Sequence, residues 1–109
     1  MGEEYLADAI KFGETQRARD FEAGNDFAAN LEQLGKALRE SPEGRQLLAE
    51  LLTHQDPYVR LWAAKDSLPF AGELAVPILE AIEATKGLLG TAARMTLSEW
   101  RAGRLFSSN

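Results

Sequence analysis

The chain contains no cysteine and only one histidine, His54. Without thiols it can form neither disulfides nor thiolate metal sites, and a cysteine nucleophile is excluded. One histidine cannot complete an ordinary zinc set. Standing just before Asp56-Pro57, His54 reads as a loop or helix-capping side chain. No stretch approaches the roughly 18 consecutive apolar residues of a membrane span. The acid-bearing N-terminus, with Glu3 and Glu4, lacks the basic start of a secretion signal, so the cytoplasm is the expected compartment. Glycine strings of the kinds that cradle phosphates are missing, and no run of consecutive basic residues occurs. Nor does any segment alternate polar and apolar residues over the length of a strand.

What the chain does have is an ordinary globular balance. Its 109 residues are 45% hydrophobic and 27% charged, enough for one core in one domain spanning 1–109 without staples. The net charge is −5. Residues 1–55 hold eleven acids and six bases; residues 56–109 hold six of each. An acidic chain without clustered lysine and arginine is poorly suited to non-specific nucleic-acid binding or to anionic membranes, both of which depend on dense positive charge. The acid-rich half is either a solvated face or a surface for a basic partner.

Helical periodicity runs from end to end and predicts six helices, at about 3–22, 26–40, 42–53, 57–68, 71–85 and 89–102. The first carries Leu6, Ala9, Ile10 and Gly13 on one face. Gly24 is expected to cap it, with Asn25 or Asp26 starting the next. Phe27, Leu31, Leu34 and Leu38 form the cleanest apolar stripe. Ser41-Pro42 and Asp56-Pro57 each place an N-cap before a proline at the first helical position. They open a helix with Leu47, Leu48, Leu51 and Leu52 and another with Val59, Trp62 and Ala63. Pro69 is expected to end the fourth helix, and Pro77 to kink or delay the fifth, which carries Ala75, Ile78, Leu79 and Ile82. The sixth presents Leu89, Ala93, Leu97 and Trp100, with Gly103 as its cap and Leu105-Phe106 folding back ahead of a frayed Ser-Ser-Asn tail.

The run Asp56-Pro57-Tyr58-Val59-Arg60-Leu61-Trp62-Ala63-Ala64 resembles the second part of a HEAT-like repeat. Gly87-Leu88-Leu89-Gly90 and Met95 through Gly103 resemble the ending of a small bacterial family of compact HEAT-like helical domains of unknown function. The resemblance covers about residues 40–105, and the first two helices more loosely through Gly24 and Asn30. It implies an all-α, six-helix α-α superhelix of the HEAT/armadillo kind, built of antiparallel helix pairs, and brings no catalytic residues. Some domains of this kind resemble bacterial immunity proteins.

The expected function is therefore a non-enzymatic protein-binding domain, immunity-type or regulatory, with no cofactor, no metal and no membrane. Tyr58, Trp62, Arg94 and Arg101 are the candidate contacts for an acidic partner, because aromatic residues and arginine dominate binding hot spots. Glu3, Glu4, Asp8, Glu14 and Glu22 are the candidates for a basic one. Two other readings stay open. A nucleic-acid-associated domain needs Arg60, Lys65, Arg94 and Arg101 to converge. A carboxylate-only enzyme needs two or more buried acids in one pocket.

Overall fold

The computed structural model describes residues 1–106. Five helices account for nearly all of it: α1 (Gly2–Arg17), α2 (Phe21–Arg39), α3 (Pro42–Leu51), α4 (Pro57–Glu83) and α5 (Leu88–Arg101). No strand occurs among the described residues. The all-helical expectation holds; the count of six does not. The segments expected as separate helices at 57–68 and 71–85 are one element, α4. Its backbone leaves helical geometry only at Ala71 (φ −145°, ψ 47°), two residues after Pro69 has removed an intrahelical bond and crowded the turn before it.

That single break is a reversal of the chain. A straight helix of 27 residues would run about 40 Å, longer than the greatest extent of the molecule, 34 Å. Pro57 and Arg60 from the start of α4 also line one small cavity together with Ile78 and Ile82 from its end. α4 is thus two arms, 57–70 and 72–83, folded against each other. Pro77 lies exposed in the second arm, and the dihedrals around it stay helical; the expected kink is at Ala71 instead.

The junction of α1 and α2 also falls away from its expected place. α1 ends in a Schellman turn, with the Asp20 N–H donating to Thr15 O (2.8 Å) and the Arg19 N–H to Gln16 O (3.1 Å). Arg19 takes the left-handed conformation (φ 57°) that glycine usually fills. Asp20 then caps α2, its carboxylate accepting from the Ala23 N–H. Gly24 is inside α2 and buried. A Cβ there would lie 2.7 Å from Gln16 Nε2 and 2.9 Å from Thr15 Oγ1, so Gly24 serves close packing of α1 on α2 rather than a cap. Ser41 and Asp56 do cap α3 and α4, with proline behind each. Gly103 (φ 74°) closes α5. Leu105 and Phe106 pack on the core as expected, and the expected frayed tail lies outside the described residues.

One hydrophobic cluster runs through all five helices. Leu31, Leu38, Leu48, Leu51, Val59, Ala63, Leu79, Ile82, Ala93 and Leu97 are buried as expected. Leu6, Ile10, Phe27, Leu34, Ile78 and Trp100 are only partly buried. The first arm of α4 is the central element: α1, α2, α3 and α5 all contact α4. Nearly every residue from Tyr58 to Leu68 is buried, polar Asp66 and Ser67 included. Extents of 34 × 32 × 28 Å, with α1 packed on α4 as well as on α2, describe a bundle closed on itself. In an open superhelix each unit touches only its neighbours in sequence.

Candidate functional site

The C-terminal half of α1, the first arm of α4 and α5 enclose a groove. Two cavities follow one another along it. The first, of about 310 Å³, lies between the end of α1 and the turn after it (Gln16, Arg17, Arg19), the N-terminus of α4 (Pro57, Tyr58), and the start of α5 with the turn before it (Lys86, Leu88, Leu89). The second, of about 120 Å³, lies one turn further along, between Phe12 of α1 and Ala92 and Thr96 of α5, over Leu61, Trp62 and Lys65. Pro57, Tyr58, Leu61, Trp62 and Lys65 share one helical face at i, i+1, i+4, i+5 and i+8, so both cavities sit on the same side of α4.

Close packing sets the floor. A Cβ on Gly13 would lie 2.8 Å from the Tyr58 ring, so only glycine lets α1 meet α4 this closely. Phe12 stands edge-on to Tyr58 (centroids 5.9 Å apart) and to Trp62 (5.4 Å). A cation covers each end of this aromatic row: the Arg17 guanidinium lies 5.2 Å from the Tyr58 centroid, and the Lys65 ammonium 4.7 Å from that of Trp62. Burial pushes the Tyr58 hydroxyl above its ordinary value, against the opposing pull of Arg17.

Charge is unevenly placed along the groove. Arg17, Arg19 and Lys86 line the first cavity and no carboxylate does. Among the described residues none of the three lies within ion-pair distance of an acid. Asp20, beside Arg19, caps the α2 N-terminus, and Asp56, beside Pro57, accepts from the Tyr58 N–H (2.8 Å); Glu14, Glu22 and Glu83, each three residues from one of the cations, do not line the cavity. The first turn of α5 adds partial positive charge, because Gly87 offers it no side-chain cap.

The four expected contact residues are split. Tyr58 and Trp62 come together on the groove floor, but at 6% and 7% exposure they are core residues with little surface to offer. Arg94 and Arg101 are on the exposed side of α5 and line neither cavity. Arg101 pairs with Glu80 (3.2 Å). Of the alternative acidic set, Asp8 is buried, and Glu3, Glu4, Glu14 and Glu22 are exposed. Of the cations that a nucleic-acid surface needs, Arg60 is bonded to the His54 and Gln55 carbonyls and Lys65 is paired with Glu32.

The other concentration of chemistry is internal. Asp66 of α4 is 2% exposed. It accepts a 2.6 Å hydrogen bond from the Tyr5 hydroxyl of α1 and forms an ion pair with Arg39 of α2. The Arg39 guanidinium in turn lies 4.2 Å from the Phe106 centroid. Gly35 of α2 makes room: a Cβ there would sit 2.5–2.7 Å from the Asp66 carboxylate atoms. Burial raises the Asp66 pKa to about 6, although Tyr5, Arg39 and Lys65 all favour its charged form. Burial and the adjacent carboxylate drive the Tyr5 hydroxyl upward. The cluster joins three helices and the C-terminal segment. Neither Asp66 nor Asp8 lines any of the cavities described, and among the described residues no group of three or more histidines or acids could hold a metal ion.

Sequence reading passed over the grouping of Asp66 with Tyr5 and Arg39, which lie 61 and 27 residues away from it in the chain. It also passed over Arg17, Arg19 and Lys86. Each stands at a helix end, where a lone cation has an ordinary role on the last carbonyls, and nothing local signals that the ends converge. Comparison of the chain with family models, with curated proteins and with solved structures gives no match.

Proposed function

We propose that this protein is a non-enzymatic binding domain whose groove between α1 and α5 takes an acidic segment of a protein partner. The observation that carries this reading is the first cavity: three cations with no carboxylate partner among the described residues, next to apolar Pro57, Leu88 and Leu89, on a chain of net charge −5. Uncompensated positive charge favours an acidic ligand over a basic one. The hairpin of α3 and the first arm of α4, hinged at Asp56-Pro57, is the part of the chain that supports kinship with HEAT-like repeats. An immunity-type or regulatory adaptor is the form of partner binding that such kinship implies.

The test is binding of fluorescent peptides that pair glutamates with leucines, measured by anisotropy against charge-reversed lysine versions. The acidic set should bind, and replacing Arg17 and Lys86 together by alanine should weaken it by roughly tenfold, about 1.4 kcal/mol. Replacing exposed Arg94 by alanine should change little. Equal binding of acidic and basic peptides, or equal losses from the Arg94 and Arg17/Lys86 variants, removes the reading.

A further inference from the structure

The mouth of the groove holds more positive charge than a single carboxylate neutralises, and we infer that it receives a phosphorylated side chain of the partner segment. This rests on the partner-binding reading above and names the group that anchors it. A carboxylate carries one negative charge on two coplanar oxygens, and one guanidinium fork satisfies it. Here Arg17 comes from the last turn of α1, Arg19 from the α1–α2 turn and Lys86 from the α4–α5 turn, three separate backbone directions around one cavity of about 310 Å³. A phosphoryl group offers nearly two negative charges and three acceptor oxygens, so each cation can meet its own oxygen. The uncapped first turn of α5 lies at the same place, with Leu88 and Leu89 in the cavity wall. Its free N–H groups and dipole favour the same ligand.

Two details of the cations fit this role. Arg17 is held against the Tyr58 ring at 5.2 Å, which fixes the guanidinium at the cavity wall before a ligand arrives and reduces the entropy lost on binding. Arg19 stands at a left-handed position (φ 57°), where glycine would form the same turn without strain. Its side chain is exposed, so packing gives no reason for a long cation there. An anion at the cavity does. Flanking apolar residues of the segment would rest on Pro57, Leu88 and Leu89.

The experiment compares two peptides that differ at one position, phosphoserine against glutamate, in a short sequence flanked by leucine, binding to the full chain. The phosphopeptide should bind roughly tenfold more tightly. R17A, R19G and K86A should each weaken it by about three- to tenfold. R94A should not. R19G should melt no lower than the wild type, so its loss of binding cannot come from unfolding. If the phosphoserine and glutamate peptides bind alike, the phosphoryl assignment falls while acidic-partner binding stands. If neither binds, both fall. If inorganic phosphate displaces the phosphopeptide at concentrations below the peptide's own dissociation constant, the site is one for free phosphate and the peptide-anchor inference is overturned.

Discussion

Asp66 faces Tyr5 on α1, Arg39, Gly35 and Glu32 on α2, and its neighbour Lys65 on α4, and burial outweighs the favourable partners to leave its pKa near 6. The ordinary value is 3.8, so the folded protein holds this proton more tightly than the unfolded chain does. The stabilisation linked to that proton is full below about pH 4 and is lost as pH rises through 6. A shift of this size corresponds to at most about 3 kcal/mol. Urea midpoints should therefore increase as pH falls from 7 to 5, and D66N should flatten that rise. Y5F removes the hydroxyl that holds the carboxylate. It should cost about 1–3 kcal/mol and move the pH step upward, because a bond favouring the charged form is lost. G35A drives a methyl into the carboxylate. Overpacking of about 1–3 kcal/mol exceeds the gain of about 1 kcal/mol in helix propensity, so thermal unfolding should show a net loss.

Helix ends decide the geometry of the candidate site. α1 and α5 close with the same pair of Schellman bonds, α1 through Arg19 and α5 through Gly103. For R19G, relief of a left-handed non-glycine residue, worth about 1–2 kcal/mol, opposes added freedom of the unfolded chain, about 0.4–1 kcal/mol. The expected outcome is unchanged stability or a gain of up to about 1 kcal/mol. G103A reverses both terms and should lose about 1–2 kcal/mol, and melting curves of the two variants check the pair. Within α2, Leu31 is fully buried while Leu34 is only partly so. L31A should cost about 2–5 kcal/mol and L34A clearly less, read from urea unfolding.

On the scale of the whole molecule, the reversal at Ala71 and the contact of α1 with α4 give nearly equal extents and a Cα radius of gyration of 12.7 Å. A compact chain of this length should measure about 13 Å by solution scattering. An open stack or a stable dimer would give a distinctly larger value. The same closure forms the groove, since α1 and α5 come to lie on either side of the first arm of α4 only when the chain doubles back.

Local chemistry wrote much of this fold into the sequence. The all-helical class, the starts at Ser41-Pro42 and Asp56-Pro57, the stop at Gly103 and the burial of Leu31, Leu38, Leu48, Val59 and Leu97 follow from caps, prolines and a 3.6-residue period, which act within a few residues. The α1–α2 boundary was not legible, because Gly24 has the same appearance as a cap and as a close-packing residue and only the neighbour Gln16 distinguishes them. Nor were the roles of Tyr58 and Trp62: periodicity assumes one exposed face, and a central arm enclosed by four other helices has almost none. Asp66 lies far along the chain from Tyr5 and Arg39, and Lys86 from Arg17 and Arg19. What each set can hold is fixed by burial and distance in three dimensions, quantities that tertiary packing alone assigns.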